Sequence, residues 1–328
     1  MTNANILAGV LAALTALAAA CSSSSSPHAS GGTDASTGGT DAPVSDAGTA
    51  VETSTLDAAG IVAARPYTLH VPTGYDGSKP TPLLVMFHGY GVSGAIQEAY
   101  FQLGNASDAH TFLYAYSDGT LSEPPDGAAG SLFWNATNAC CDFYDSGVDD
   151  VQYFDAVVDD IQSKYNVDPK RVFVVGHSNG GFMSHRLACD RASRVAAIFS
   201  LAGAQWYDLG KCDPSGPVSV AEVHGNADQT IVYDGGSTQE GMYPGAPTTI
   251  ADWGTKNGCT GALTANGQTY DIDSQLPGNE TVVQAYQGCP AGIDVQLWTI
   301  QGGMHIPTLN QPAWGEDIWG FLSAHPKP

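Results

Sequence analysis

The sequence predicts an α/β fold with a mostly parallel central sheet flanked by helices on both faces. Short hydrophobic runs alternate along the chain with segments of helical periodicity, an order that favours strands joined by right-handed crossovers. Several runs are apolar at nearly every position, notably Pro82–Phe87 and Val172–Val175. Continuous apolar runs indicate strands covered on both sides, as in a parallel sheet between two helical layers.

The individual elements follow from these patterns. The predicted strands are Pro66–Val71, Leu83–His88, Leu113–Ser117, Val172–Gly176, Ala196–Leu201, Val218–His224 and Val295–Gln301. The predicted helices are Asp149–Tyr165, Gly180–Asp190, Thr248–Lys256 and Ala313–Ala324. Asp149 and Asp150 open the first helix, where acidic side chains cap free amides and complement the helix dipole. We therefore assign this pair to structure rather than to metal binding.

Composition divides the chain into three parts. Residues 22–57 are built almost wholly of small and polar residues. Such a segment buries too little apolar surface to offset its chain entropy, so we predict a disordered linker. Residues 58–328 are long enough for one α/β catalytic domain. Residues 1–21 contain an apolar run from Ile6 to Ala20 that is too short to span a bilayer and is typical of a signal peptide.

The end of this run resembles a bacterial lipoprotein signal. Leu17-Ala18-Ala19-Ala20 precedes Cys21, which would carry the lipid. We therefore expect an exported protein, anchored at the bacterial surface or in the periplasm through Cys21. Secretion after ordinary signal cleavage is the alternative, because no Lys or Arg precedes Arg65 and the leucine lies one place further from the cysteine than usual.

The charge balance argues against one class of partner. Eleven Lys and Arg stand against 33 Asp and Glu, which gives a formal net charge of −22. A surface this acidic repels phosphate backbones and anionic membranes, so we expect no nucleic-acid partner and no membrane contact except through a lipid on Cys21. We further expect a monomer that needs no cofactor.

The cysteines after Cys21 predict disulfides. They are Cys140, Cys141, Cys189, Cys212, Cys259 and Cys289. An even number in an exported chain favours up to three disulfides, and the spacings fit no zinc site, so no metal is expected. Cys259 and Cys289 flank a polar insertion that a disulfide between them would close. We expect the adjacent Cys140 and Cys141 to bond to distant partners rather than to each other.

A candidate nucleophile lies in the run Gly176-His177-Ser178-Asn179-Gly180. A predicted strand precedes this run and a predicted helix follows it, which places Ser178 on a sharp strand-to-helix turn. Small residues on either side allow the close backbone approach of such a turn, and the turn lifts the serine hydroxyl out at the carboxyl edge of the sheet.

A serine hydroxyl becomes a good nucleophile when a base takes its proton and an acid orients that base. Asp228 follows the strand Val218–His224 at its carboxyl end, and Asp234 nearby is the reserve candidate for the acid. His305 follows the strand Val295–Gln301 and is the candidate base. The order serine, acid, histidine is that of α/β-hydrolases.

The oxyanion formed at an ester carbonyl requires backbone N–H donors. The amide of Asn179 at the start of the following helix is one candidate. The second is the amide of Tyr90, in the glycine-rich loop that follows the strand Leu83–His88.

Four stretches carry a resemblance to a known family: HGYGVSG, VDPKRVFVVGHSNGGFMSHRLACD, VHGNADQTIVYDGG and GGMH. In this order they resemble the polyhydroxybutyrate depolymerase and feruloyl esterase family of α/β-hydrolases, over most of Arg65–Pro328. The resemblance implies an α/β-hydrolase fold, ester hydrolysis through an acyl-enzyme, and a triad of Ser178, Asp228 and His305. Family members often carry a Trp directly after the catalytic histidine, where this chain has Ile306, so the acyl specificity stays open.

Aromatic side chains near the predicted sheet edge are candidates for substrate binding: Trp134, Trp206, Tyr207 and Trp314. Such rings stack on aromatic acyl groups or on sugars. We expect feruloyl or acetyl esters of plant polysaccharide as substrates. A polyester such as polyhydroxybutyrate, a serine peptidase activity and a non-catalytic surface lipoprotein are the alternatives.

Overall fold

A computed structural model describes residues 57–328 of the chain. The helices are α1 (Ala58–Ala64), α2 (Gly94–Phe101), α3 (Leu103–His110), α4 (Asp150–Lys164), α5 (Asn179–Asp190), α6 (Ala246–Lys256) and α7 (Ala313–Ser323). The longer strands are β1 (Tyr67–His70), β2 (Thr81–Phe87), β3 (Leu113–Ser117), β6 (Val167–His177), β7 (Ala197–Leu201), β8 (Ser219–Gly225), β11 (Leu263–Tyr270), β12 (Thr281–Tyr286) and β13 (Val295–Ile300). The short strands are β4 (Thr120–Leu121), β5 (Leu132–Phe133), β9 (Gly235–Ser237) and β10 (Met242–Pro244).

The longer strands form one sheet in the order β1-β3-β2-β6-β7-β8-β13-β12-β11. The six strands from β3 to β13 are parallel to their neighbours, and β1, β12 and β11 add antiparallel pairs at the two edges. The expected α/β fold with a mostly parallel sheet is confirmed. The carboxyl ends of β2, β6, β8 and β13 consequently meet at one edge, where ligands bind in open α/β sheets.

Both faces of the sheet are covered. Along β2, Leu83, Val85 and Phe87 belong to one hydrophobic cluster, and Leu84 and Met86 belong to another. Residues of α4, α5 and α6 complete the first cluster, and residues of α2, α3 and α7 complete the second. The alternation explains why the run is apolar at consecutive positions, since each side chain meets a helical layer.

The sequence patterns missed several elements, among them β11, β12, α2 and α3. Strand β11 is exposed at most positions, so an alternation of buried and exposed residues is absent. Helices α2 and α3 have eight residues each and are too short for a clear helical period.

Two disulfides join residues that are far apart in sequence. Cys259 and Cys289 are bonded and close the β11–β12 hairpin, as the polar insertion between them predicted. A second bond joins Cys189, in α5, to Cys212.

The prediction for Cys140 and Cys141 is wrong, because these adjacent residues are bonded to each other. The peptide bond between them is cis, and their Cα atoms lie 3.0 Å apart. Sequence adjacency suggested two separate partners, but this local conformation brings the two side chains together.

The predicted signal peptide, the lipid on Cys21 and nearly all of the predicted linker, residues 22–57, lie outside the described residues. Within residues 57–328, no helix has the length and apolar character needed to cross a bilayer.

Candidate active site

Ser178 lies on the sharp turn between β6 and α5. Its backbone is at φ +56° and ψ −119°, a conformation that L-residues rarely adopt and that is typical of strained functional turns. A Cβ atom at Gly176 would collide with the carbonyl of Gly180, and a Cβ atom at Gly180 would collide with the carbonyl of Phe87. The glycines on either side of Ser178 are therefore required for the turn to pack against β2.

Ser178, His305 and Asp228 form a continuous chain of hydrogen bonds. His305 Nε2 lies 2.9 Å from Ser178 Oγ, and His305 Nδ1 lies 2.7 Å from Asp228 Oδ2. Because a carboxylate only accepts, the ring proton is on Nδ1, which leaves Nε2 free to accept the serine proton. The structure thus places Asp228, rather than the exposed Asp234, against His305. The arrangement can remove a proton from the serine and stabilise the resulting imidazolium.

Asp228 is held as an anion by its surroundings. The amides of Thr230 and Ile231 donate to its Oδ1 at 2.7 and 3.0 Å. Burial alone would raise the pKa of Asp228, but His305 and His224 outweigh this effect and hold the pKa well below its usual range. The carboxylate that orients His305 therefore stays charged near neutral pH.

A second histidine lies behind this carboxylate. His224 Nε2 donates to the carbonyl of Ile231 at 2.7 Å and lies 3.4 Å from Asp228 Oδ2, and His224 Nδ1 lies 2.9 Å from Glu222 Oε1. The side chains of His224, Asp228 and Glu222 are all buried. Burial would lower the pKa of His224, but the neighbouring carboxylates of Asp228 and Glu222 raise it to about 10. His224 is therefore a buried cation between two carboxylates.

Glu222 is the far end of this network. It also accepts hydrogen bonds from His185 Nε2 at 2.9 Å and from the amide of Gly203 at 3.1 Å. His185 Nδ1 in turn accepts from the indole of Trp253. Every oxygen of this buried carboxylate is thus hydrogen-bonded, as a buried charge requires. In sequence, the signal is a glutamate inside a strand whose neighbouring residues, Ala221 and Val223, are apolar.

We expect Glu222→Ala to destabilise the folded protein by about 4 kcal/mol, because it leaves the His224 cation buried with one partner fewer. For a domain of this size the loss corresponds to a fall of about 10 °C in melting temperature. The control is Glu316→Ala, which removes an exposed His–Glu pair with His110 and should cost less than about 1 kcal/mol.

The pH dependence of this difference has a definite sign. The folded-state pKa of Glu222 lies below its ordinary 4.5, so its contribution is present above that pH and is lost as the pH falls. The raised pKa of His224 makes its contribution complete below pH 6.5 and lost as the pH rises toward 10. The difference in melting temperature between wild type and Glu222→Ala should therefore be largest near pH 6. Equal melting temperatures at that pH would contradict the assigned role.

Two further histidines support the site as neutral side chains. Burial lowers the pKa of His177 to about 3, and its Nε2 donates to the carbonyl of His305 at 3.0 Å. Burial lowers the pKa of His88 to about 4, and its ring bridges the carbonyl of Gly89 and the amide of Gly119. His177 positions the loop of His305, and His88 positions the loop that carries Tyr90.

The candidate oxyanion donors lie beside Ser178. Asn179 is the first residue of α5, where amides have no acceptor within the helix and the helix dipole favours negative charge. Tyr90 follows β2 at the same edge and lines the same pocket as Ser178. Both positions fit the predicted role, which stays a prediction.

The pocket at Ser178 is lined by Tyr90, Cys140, Cys141, Phe143, Tyr144, Thr230, Ile231, Thr238 and Gln239. The predicted substrate contacts of Trp134 and Trp314 are wrong, because both rings are fully buried. Trp134 packs on Phe87 and Trp314 packs in the core on the opposite face. A position close to the end of a predicted strand does not show whether the side chain is buried in the core.

Trp206 and Tyr207 lie outside the pocket at Ser178. Trp206 lines a neighbouring polar groove, beneath the cationic groups of Arg186 and Lys211. Tyr207 is half exposed. Substrate binding by this pair stays a prediction.

No cluster of three or more His, Cys, Asp or Glu side chains within residues 57–328 is arranged to hold a metal ion. All the site residues described above lie within residues 57–328.

Comparison with known proteins identifies the family of the chain. A family model described as Phospholipase/Carboxylesterase matches residues 75–244, just over half of the 328 residues. The chain belongs to this family. Carboxylic ester hydrolysis is thus the class of reaction of the catalytic domain, and the expected resemblance to feruloyl esterases is confirmed by the relatives described next.

The chain is 33% identical over 254 residues to feruloyl esterase B of Piromyces equi, covering 74% of this chain and 43% of that protein. It is 27% identical over 277 residues to feruloyl esterase D of Neurospora crassa, covering 79% and 82% respectively. An acetyl xylan esterase from Aspergillus awamori has the same fold, with a TM-score of 0.54, 15% identity and coverage of 79% and 93%. The chain therefore spans less than half of the Piromyces relative.

Proposed function

We propose that the protein is an exported serine esterase that hydrolyses aromatic acyl esters, such as the feruloyl esters of plant polysaccharide, through an acyl-enzyme. The observation that carries this proposal is the chain of hydrogen bonds from Ser178 through His305 to Asp228. Its geometry is that of an activated serine nucleophile.

In acylation, His305 Nε2 takes the proton of Ser178 as Oγ attacks the ester carbonyl. The amides of Asn179 and Tyr90 stabilise the oxyanion of the tetrahedral intermediate. The His305 imidazolium, stabilised by Asp228, then gives its proton to the departing alcohol. In deacylation, His305 activates water by the same route, and collapse of the second intermediate releases the acid and restores Ser178.

Two observations support an aromatic acid. Feruloyl esterases recur among the relatives, and the pocket at Ser178 is lined by aromatic and apolar side chains. Three disulfides within residues 57–328 support export, because such bonds persist in oxidising compartments. The lipid on Cys21 and the monomeric state stay predictions.

The purified full chain should hydrolyse methyl ferulate with a kcat/KM at least about tenfold above that for ethyl acetate, because only the aromatic acid fills the pocket. A fluorophosphonate should label the peptide that contains Ser178, which mass spectrometry detects. Acetylated xylan and polyhydroxybutyrate complete the panel. A preference for either of these, or a label on another serine, would contradict the proposal.

A further inference from the structure

One wall of the pocket at Ser178 is a disulfide between adjacent residues. Cys140 and Cys141 both line this pocket, and they are only 2% and 4% exposed. The surface that they retain faces the space beside the nucleophile. The reaction proposed above makes no use of these sulfur atoms.

Asn179, the residue after the nucleophile, fixes this wall in place. Its Oδ1 accepts from the amide of Trp134 at 2.7 Å, and its Nδ2 donates to the carbonyl of Trp134 at 2.9 Å. The same Nδ2 lies 3.4 Å from Cys140 Sγ, and the amide of Cys141 donates to the carbonyl of Trp134. The disulfide is therefore held in a defined position relative to the hydroxyl of Ser178.

The chemistry of the wall suits an aromatic ring. Divalent sulfur is polarisable and makes favourable contacts with aromatic rings. Phe143, Tyr144 and Tyr90 stand around the same pocket, and the rings of Tyr90 and Phe143 pack edge to face with centroids 5.1 Å apart. The Cys140–Cys141 disulfide closes a small covalent ring with the backbone between the two residues. Among three aromatic side chains, this ring presents a rigid apolar surface.

The charges around the pocket favour a neutral acid. None of the described residues that line it is charged, whereas the adjacent groove is lined by Asp142, Asp145 and Glu240 against one cation, Lys211. An acyl group with a carboxylate would meet repulsion from these acidic side chains, but an uncharged ring would not.

We infer that the Cys140–Cys141 disulfide is the surface on which a planar, uncharged aromatic acyl group stacks while its ester carbonyl lies at Ser178. The inference rests on the proposed function, in which Ser178 is the nucleophile. It deepens that proposal by assigning the ring to the acid side of the ester and by naming the residues that select it.

The test compares an ester of an aromatic acid, methyl cinnamate, with an ester of an aromatic alcohol, phenyl acetate. In the full chain carrying Cys140→Ala and Cys141→Ala, the ratio of kcat/KM for cinnamate to that for acetate should fall about tenfold. The matched control carries Cys189→Ala and Cys212→Ala, which removes a disulfide outside the pocket. This control should melt at a lower temperature but keep the wild-type ratio.

An unchanged ratio, or a selective loss on phenyl acetate, would overturn this inference alone. Wild type that hydrolyses neither ester would overturn the proposed function as well. If the double variant does not fold, a crystal structure of Ser178→Ala with methyl cinnamate shows where the aromatic ring binds. The ring should lie against Cys140 and Cys141, and a ring elsewhere in the site would refute the assignment.

Discussion

Ser178→Ala is expected to lower kcat for ester hydrolysis by about four to six orders of magnitude while leaving the fold intact. The Ser178 hydroxyl is the group that forms the acyl-enzyme in the proposed mechanism, and without it His305 loses the proton donor that lies 2.9 Å away. Substrate binding should change little, because the pocket walls are untouched. Single-turnover kinetics and calorimetric binding of methyl ferulate separate these two effects.

The matched control is Ser184→Ala in α5, the helix that follows Ser178. The hydroxyl of Ser184 is buried and donates to the carbonyl of Gly180 at 2.8 Å. Its removal should cost about 1 kcal/mol of stability and leave kcat near the wild-type value. Adding His305→Ala to Ser178→Ala should cause little further loss, since the two residues act as one unit. Turnover by Ser178→Ala within tenfold of wild type would refute the serine mechanism.

The positions of the candidate catalytic residues could be predicted from sequence because parallel strands end at a common edge. Ser178, Asp228 and His305 each follow an apolar run, and the alternation of strands and helices makes those runs parallel. No side-chain detail was needed for that inference. Ser178 and His305 are 127 residues apart in sequence, and the sheet brings their side chains within hydrogen-bond distance.

The pocket could not be predicted in this way, because burial depends on long-range packing. Trp134 and Tyr144 lie close together in sequence, yet the first is fully buried and the second is exposed at the pocket. The bond between Cys140 and Cys141 depends on a backbone conformation that composition does not indicate. His224 and Glu222 carried a weaker signal, as polar residues in a strand that the pattern makes buried.

Asp228→Asn is expected to lower kcat by about 10⁴-fold near neutral pH while the overall geometry persists. An amide at this position can offer a donor to His305 Nδ1, which favours the ring tautomer with its proton on Nε2. That tautomer cannot accept the proton of Ser178. The substitution also removes one of the two anions beside the His224 cation, so we expect a loss of stability as well. Stopped-flow turnover and thermal melting measure the two losses separately.

Asp234→Asn is the matched control, since it neutralises an exposed aspartate in the same loop. Its kcat should stay within about twofold of wild type, because a surface charge contributes little. The pKa of Asp228 adds a second criterion. Because this pKa lies well below the usual range of an aspartate, the carboxylate loses its charge only at a pH below that range. Protonation of Asp228 should therefore cause no change in the ratio of wild-type to Asp228→Asn activity between pH 5 and 8. If Asp234→Asn were instead the inactive variant, His305 would have to turn away from the carboxylate that it now contacts at 2.7 Å, and the acid of the triad would be misassigned.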